Sequence, residues 1–562
     1  MRESRGLRFA GDLRAASLTR ALSPPRCSPN RSQGLILAVG FVVLVLSGCT
    51  RVVIPPRSVS PDPSTGSSIA TSAPAESSTA IPLTRLPPPS PRRTEPVPDV
   101  VPPGVVDPPG GRGVARYTGQ SITWTGCRRG LQCATVLAPL DWSAPDGRAV
   151  TLSISRRPAR TEPASGVLFV NPGGPGGSGL DLPRSLPDTG LDGFNIVGWD
   201  PRGVGESTPV RCLDPTGTEV HLQVDTSPDD AAEVTELEKA DRTLGLACLA
   251  NSGTLLTQVS TQSTVRDLDL LRQLLGADTI DFYGASYGTV IGSLYAQLFP
   301  DRVGRFVLDG AVVLGDDEVE LQTKGFSEAY ATFAGWCAAR SCALGGSTAA
   351  VITTTTDLLT RLDARPIAVG DRQLTQSLAM DGIVHTLYGD AGSYPLLSQV
   401  LAAAVDGNGR PLLTVADFAN QRNDDGSYGQ INAAFPAIRC LDQGDRGVAA
   451  AVAEGRRLAA EAAGLGRFLG PDLTCPEWPV AAKPYGRRIT APNAPPILVV
   501  GTTGDPATPY VSAERLAAQL RSGRLLTFRG VGHTAYQQST CVQEKVAAFL
   551  VDGTLPAVGT TC

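Results

Sequence analysis

The chain has 562 residues, of which 42% are hydrophobic and 18% charged, and its net charge is −5. That length allows two to four domains, and a mildly acidic balance with no basic block argues against nucleic acid as a partner. Metal binding through cysteine is also disfavoured, because the 12 Cys include no Cys-x-x-Cys pair and only three His are present to help.

The N-terminus reads as an export signal. Arg2, Arg5, Arg8, Arg14, Arg20, Arg26 and Arg31 precede an apolar run that is too short for a comfortable membrane-spanning helix. The run ends in Leu46-Ser47-Gly48-Cys49, which resembles a bacterial lipobox. That resemblance makes residues 1–48 a lipoprotein signal peptide and Cys49 the lipidated first residue of the mature chain. An ordinary cleaved signal or a signal anchor is the alternative. The expected location is the cell envelope, on the outer face of the cytoplasmic membrane, with secretion as the second option.

Residues 49–114 are expected to form the anchor and a disordered tether. Residues 51–114 hold 16 of the 46 Pro, with many Ser and Thr, a composition that buries no core and favours extended structure. From 115 the texture changes. Segments 121–127, 132–140 and 149–156 are rich in β-branched and apolar residues and open a set of strands. Short apolar runs that lead into glycine-containing turns follow at 166–174, 194–203, 280–288, 305–311, 496–505 and 524–533. Runs of this length suit strands buried on both faces of a parallel sheet. Helical patterns lie between them, as at 261–276 and at 509–520, the latter with Pro509 as first helical residue. Alternating strand and helix means an α/β, mostly parallel, doubly wound sheet. The rhythm stops between 312 and 490, which reads as an inserted, mainly helical cap. The core is then 115–311 followed by 491–562.

Ten cysteines remain once Cys27 and Cys49 are set aside. In an oxidising compartment they suit disulfides. Read in order they fall into neighbouring pairs: Cys127 with Cys133, Cys212 with Cys248, Cys337 with Cys342, Cys440 with Cys475, and Cys541 with Cys562. Order alone does not fix connectivity.

The chemistry centres on Gly284-Ala285-Ser286-Tyr287-Gly288, placed after an apolar strand and before a helical pattern. A serine on such a sharp turn projects its hydroxyl from the sheet edge. The following helix N-terminus offers partial positive charge to a forming oxyanion. Serine needs a base, and of the three histidines His533 alone follows a predicted strand within a glycine-containing turn; His385 falls in the cap and His221 has no evident motif. Asp505, after the strand at 497–501, is placed to orient the imidazole. Pro509 makes Thr508 the better helix cap, which leaves Asp505 free for that task. The order Ser, Asp, His is that of α/β-hydrolases. The glycine-rich stretch 171–177 follows an early strand, where this fold places an oxyanion donor; the candidates are the backbone N–H groups of Gly174 and Tyr287. A phosphate loop is the competing reading, but the Lys-Ser/Thr ending is missing.

NPGGPGGSG, WDPRGVGES (199–207), GASYGT (284–289), GDPATP (504–509) and GVGHTAY (530–536) together resemble the tripeptidyl-aminopeptidase-like branch of the α/β-hydrolases, related to prolyl aminopeptidases and including lipid-anchored actinobacterial proteins. The resemblance covers about 115 to 562 and maps the triad onto Ser286, Asp505 and His533. It implies release of short units from free peptide N-termini, with a carboxylesterase or lipase on envelope esters as the alternative and a non-catalytic binding protein as a third reading. Asn171-Pro172-Gly173 stands where prolyl aminopeptidases carry His-Gly, which argues against strict proline specificity. A free amine calls for a carboxylate; Asp316, Asp317, Glu318 and Asp442 are the cap candidates, and Asp442, beside Cys440, is favoured. Arg202 is expected to brace its loop through a buried ion pair. No metal or organic cofactor is implied. The expected partners are a peptide substrate and, through Cys49, the membrane.

Overall fold

The structure, a computed structural model, describes residues 94–562 except 129, 188, 314–316, 463 and 486–487. The proposed signal, lipobox and first part of the tether therefore lie outside the described residues. Among those described, the central sheet contains β1 (Val105–Val106), β2 (Thr125–Cys127), β3 (Leu131–Pro139), β4 (Ala149–Arg157), β5 (Gly166–Asn171), β6 (Phe194–Trp199), β7 (Ile280–Ala285), β8 (Val303–Asp309), β11 (Ile497–Gly504) and β12 (Gly523–Val531). Its order is β12-β11-β8-β7-β5-β6-β4-β3-β2, with β1 on β4. Strands β5, β6, β7, β8, β11 and β12 pair in parallel, whereas β1 to β4 add antiparallel pairs. This is the expected α/β-hydrolase sheet, and the continuous apolar runs are its strands buried on both faces.

The chain passes from β5 to β6 on one side and returns to β7 on the other side of β5. The crevice at such a reversal lies at the carboxyl ends of the strands and is where open α/β sheets bind ligands. Register brings those ends level: Asn171 faces Gly284, Ala285 faces Asp309, and Asp309 faces Val500.

Helices form where periodicity placed them, at 261–276 and 509–520, and at segments that it did not mark, such as Pro215–Leu222 and Ala231–Ser252. The short α1 (Ala115–Thr118) and α2 (Leu182–Ser185) are followed by α3 (Pro215–Leu222), α4 (Ala231–Ser252), α5 (Thr261–Leu274) and α6 (Gly288–Leu298). Helix α5 starts where Ser260 accepts the Ser263 N–H, and it buries Val265, Leu268 and Leu271 on its apolar stripe. The cap consists of α7 (Glu318–Ala339), α8 (Thr348–Ala364), the hairpin β9 (Ile367–Val369) and β10 (Arg372–Leu374), α9 (Gln376–Leu387), α10 (Tyr394–Val405), α11 (Arg410–Ala419), α12 (Ile431–Asp442) and α13 (Val448–Glu461). It has its own apolar core, which includes Phe333, Leu358, Ile383, Leu401 and Leu412. Helices α14 (Tyr510–Gln519) and α15 (Thr540–Asp552) complete the last part of the core. No described helix is long and apolar enough to cross a membrane.

The five neighbouring cysteine pairs form as expected. Cys127 bonds to Cys133, Cys212 to Cys248, Cys337 to Cys342, Cys440 to Cys475, and Cys541 to Cys562. The partners are near in sequence, from a separation of 5 for Cys337 and Cys342 to 36 for Cys212 and Cys248. Their task is therefore local: the last one ties the C-terminal Cys562 back to α15 at Cys541.

Three expectations need correction. First, the tether does not remain unstructured to residue 114. Val105–Val106 pair with β4, the Glu95 N–H donates to the Pro479 carbonyl at 2.9 Å, and Thr208 Oγ1 donates to the Gly104 carbonyl at 2.6 Å. A proline-rich segment lies readily along a surface because it is already extended and has few N–H groups to satisfy. Second, the stretch 115–311 is not core alone. Helix α3 reaches the cap, where Glu219 accepts from Arg372 Nε at 2.9 Å, Arg422 Nε at 3.0 Å and Tyr428 Oη at 2.5 Å. Third, Pro509 is the residue before α14 rather than its first residue, with extended backbone (φ −50°, ψ 144°).

Candidate active site

Ser286 occupies the turn between β7 and α6 with φ of +54°, a left-handed conformation uncommon outside glycine. Its N–H donates to the Asp309 carbonyl at 2.8 Å, which ties the turn to the end of β8. Gly284 is required by close approach, since a Cβ there would lie 2.4 Å from the Gly288 carbonyl oxygen. Strain held in place by its surroundings is what exposes a nucleophile at the top of such a sheet.

His533 sits in the turn after β12 with its ring nearly perpendicular to that of Tyr388 from the cap, centroids 5.1 Å apart. Its main-chain N–H donates to the Tyr388 carbonyl at 2.8 Å. Nδ1 lies 3.0 Å from both carboxylate oxygens of Asp505, and Nε2 is buried with no hydrogen-bond partner. A hydrogen on Nδ1, held by Asp505, leaves Nε2 as the free base nitrogen. Burial pushes this imidazole down, but the Asp505 charge outweighs it and holds the pKa above the ordinary histidine value. No hydrogen bond joins Nε2 to Ser286 in this state; such bonds often tighten only when substrate is bound.

Asp505 is only 3% exposed. The expectation that Thr508 would free it from capping is corrected. Asp505 accepts the Ala507 N–H at 3.0 Å and the Thr508 N–H at 2.8 Å, and also the Thr508 hydroxyl and the Thr534 N–H. A carboxylate has about four acceptor positions, so it organises its own turn and holds His533 as well.

The glycine-rich stretch after β5 runs beside the nucleophile. Gly173 has φ of +89°, and a Cβ on it would fall 2.5 Å from the Ala285 carbonyl oxygen and 2.6 Å from the Tyr287 nitrogen. Gly174, Ser286 and Tyr287 line one cavity of about 420 Å³. The first N–H groups of a helix have no acceptor within it, and Tyr287 stands at the start of α6. The stretch is fixed from behind by Asp200, which accepts from Ser178 Oγ at 2.6 Å and from the Gly179 and Glu206 N–H groups. Arg202 forms the expected buried pair with Asp267, Nη2 to Oδ1 at 2.6 Å, both side chains fully buried.

The cap lines the cavity and brings five carboxyl groups to its wall, those of Glu318, Asp442, Asp445, Glu454 and Asp472. Asp442, at the end of α12, is 2% exposed and accepts the Tyr287 hydroxyl at 2.7 Å and the Thr261 N–H at 2.9 Å. Burial raises its pKa to about 6. Glu318 accepts from Gln443 Nε2 at 3.1 Å, and burial raises it to about 7. Asp317 instead pairs with Arg515 at 2.6 Å, and Asp316 lies outside the described residues. His221 and His385 do not line this cavity. Of the disulfide cysteines only Cys475 lines it; Cys127, Cys133, Cys212, Cys248, Cys337, Cys342, Cys440, Cys541 and Cys562 brace the fold away from the chemistry. Asp225, Glu233 and Asp363 bring carboxylate oxygens within 4.8 Å of one another, a grouping common among acidic side chains that does not include the nucleophile.

Sequence reasoning missed Asp309. It ends β8, is completely buried, and accepts from Tyr283 Oη at 3.0 Å and the Ala535 and Tyr536 N–H groups at 3.0 and 2.8 Å. Its signal was present in the run 305–311, where an acid closes an otherwise apolar strand.

A strained serine between a parallel strand and a helix, a histidine held by a buried aspartate and a glycine-rich wall beside them define a serine hydrolase of the α/β-hydrolase fold. Residues 462–562 match the TAP-like protein family. The chain is 36% identical to serine protease Hip1 of Mycobacterium tuberculosis over 477 residues, covering 79% of this chain and 91% of that one. It is equally 36% identical to carboxylesterase B of the same organism, over 78% and 89% of the two chains. Tripeptidyl aminopeptidase of Streptomyces lividans is 29% identical over 80% and 88%. The chain belongs to the TAP-like family of serine hydrolases and peptidases.

Proposed function

We propose that the protein is an extracytoplasmic serine aminopeptidase that releases short peptides, tripeptides or similar, from free N-termini. The observation that carries this reading is Asp442: a buried carboxylate on the wall of the cavity that also holds Ser286. A carboxylate there suits an ammonium group, which restores the charge partner that burial denies it. A neutral acyl ester makes no use of it.

In this reading the steps are those of a serine acyl transfer, supported by the His533–Asp505 contact. Ser286 Oγ attacks the scissile carbonyl while His533 Nε2 takes its proton, with Asp505 stabilising the imidazolium through Nδ1. The N–H groups of Tyr287 and Gly174 meet the oxyanion of the tetrahedral intermediate. The imidazolium then protonates the departing amine, which leaves the short peptide as an ester on Ser286. Water, deprotonated by the same nitrogen, hydrolyses that ester.

A carboxylesterase is the second reading, favoured by the equal identity to carboxylesterase B and by Phe326, Tyr388 and Phe435 in the cavity wall. Three substrates separate the two: a free-amine tripeptide anilide, its N-acetylated twin and a short acyl ester, each with the wild type and Ser286→Ala. Ser286-dependent release from the free-amine peptide alone supports the aminopeptidase, and hydrolysis of the ester alone rejects it. No Ser286-dependent rate on any of them favours a binding protein.

Anchoring at Cys49 on the outer face of the cytoplasmic membrane is part of this proposal, supported by the Leu-Ser-Gly-Cys sequence and by five disulfides that suit an oxidising compartment. Mass spectrometry of the mature N-terminus tests it; an unlipidated residue other than Cys49 overturns it.

A further inference from the structure

We propose that Asp309 is a positioning residue for the hydrolysis, holding the nucleophile turn and the base turn in register as one unit; the inference rests on the reading of Ser286 as nucleophile and His533 as base. Three observations converge on it. Its main-chain carbonyl takes the Ser286 N–H at 2.8 Å, one residue past the end of β7. Its carboxylate takes the N–H groups of the two residues after Thr534: Ala535 at 3.0 and 3.1 Å to the two oxygens, and Tyr536 at 2.8 Å. The next residue, Gly310, leaves so little room that a Cβ would lie 3.3 Å from His533 Cε1 and 3.1 Å from Thr508 Oγ1.

Asp309 therefore touches both sides of the reacting pair without lining the cavity. The His533 turn is also held by the His533 N–H on the Tyr388 carbonyl, the Thr534 N–H on Asp505 and Gln538 Nε2 on the Thr534 carbonyl, and Asp309 is the member of this set that reaches the nucleophile turn as well. Thr534 has φ of +65°, a conformation that costs a β-branched residue and is kept only when neighbouring bonds determine it. The Ala535 and Tyr536 bonds follow it immediately. The acceptor has to be a carboxylate because four donor contacts meet it, three from two main-chain N–H groups and one from Tyr283 Oη at 3.0 Å. An amide in the same place presents one oxygen and two hydrogens, and its NH2 would face N–H donors. The charge also acts on the base. Among the described residues, the titratable groups facing the imidazole are Asp505, Asp309 and, from the cap, Tyr388.

The experiment compares wild type, Asp309→Asn and Tyr283→Phe on a short acyl ester and a free-amine tripeptide anilide. A fluorophosphonate titrates the fraction of enzyme with a reactive serine, so that rates are expressed per active site. Since displacement by about 1 Å can cost about 100-fold, the expected loss in kcat per titrated site for Asp309→Asn is about 100-fold, with KM changed far less. The acidic limb of kcat/KM moves to lower pH, because removing a negative charge near the imidazolium makes it a stronger acid. Tyr283→Phe removes one donor and leaves the carboxylate, so it reports on the same group if the Asn variant does not fold; a lower kcat at unchanged KM is expected. A part that is merely structural lowers the melting temperature and the titratable fraction but leaves the turnover per site and the acidic limb in place; that outcome overturns the proposal. If the fluorophosphonate fails to label wild type at Ser286, the hydrolase reading itself fails, and the two failures are distinguishable.

Discussion

Tyr287 is bonded to Asp442 through its phenol, 2.7 Å from oxygen to oxygen, while its main chain is next to the nucleophile at the start of α6. The same residue thus joins the wall proposed to stabilise an oxyanion to the carboxylate proposed for the substrate amine. Asp442→Asn removes a charge-assisted contact worth about 2 kcal/mol, or about thirtyfold in affinity. KM for free-amine peptides should rise by that factor, with KM for N-acetyl esters unchanged. Tyr287→Phe should raise KM for free-amine peptides less, because the carboxylate keeps its charge and loses only an orienting donor. Equal changes on peptide and ester would show that Asp442 does not meet the amine.

The pH dependence separates the two titrating groups. His533 has to be neutral to act as base, and Asp505 holds its pKa above the ordinary value despite burial. Activity on an ester therefore rises with pH through a limb above about 6.5 and falls off below it as the imidazole binds a proton. Asp442 has to be ionised to hold an ammonium, and burial places its pKa at about 6. Below that pH free-amine peptides lose their partner as well. The acidic side of log kcat/KM should be steeper for a free-amine peptide than for an acyl ester, because Asp309, raised by burial to about 6, bears on both substrates whereas Asp442 bears on the peptide alone. Asp505→Asn should move the His533 limb down and lower kcat by about 10⁴-fold.

Arg202 carries a stability prediction. Its Nε and Nη2 bond to Asp267 at 2.7 and 2.6 Å, and its other donors reach the carbonyls of Leu140 and Pro139 at 2.8 and 2.9 Å. Arg202→Met leaves Asp267 buried without its charge partner and should cost about 3–5 kcal/mol, measured by urea unfolding. Arg202→Met with Asp267→Leu should cost less than the single change, since no lone charge then remains in the interior. A double variant as unstable as the single one would place the loss in the carbonyls that Arg202 serves, those of Leu140, Pro139 and Gln258, instead.

What is legible in the sequence follows from what is local. Ser286 and His533 sit in turns whose glycines and preceding strands are written in a few consecutive residues, and the Arg202 pair can be suspected from its own loop. Two of the disulfides are legible for the same reason, since Cys133 and Cys342 lie close to their partners along the chain, whereas the other three span 21 to 36 residues and rest on chain order alone. Asp309 is not legible as a functional residue, because its partners Tyr283, Ala535 and Tyr536 come from two other segments and only the sheet register brings them together. The dual task of Asp505 is hidden for the opposite reason: a local capping rule treats a carboxylate as if it could serve a single donor. The segment from 94 to 114 is described by its composition as having no core of its own. Composition does not report that such a segment lies against another, as Val105 does on β4.

Gly173 gives the most direct test of the wall beside the nucleophile. Its φ of +89° already disfavours any other residue, and a Cβ would fall 2.5 Å from the Ala285 oxygen and 2.6 Å from the Tyr287 nitrogen. These are main-chain atoms that cannot swing away. The stretch 171–177 therefore has to back off from α6 in Gly173→Ala, carrying Gly174 with it. An oxyanion donor is worth about 10²–10³-fold in kcat, and that loss is the expected result. His533 and Asp505 belong to other turns, so a fluorophosphonate should still find Ser286 activated, although more slowly because its own oxyanion uses the same wall. Loss of kcat with retained, slowed labelling places the defect in the oxyanion site. Complete loss of labelling with an unchanged melting temperature would mean that the stretch supports the serine itself and not the charge that forms on the substrate.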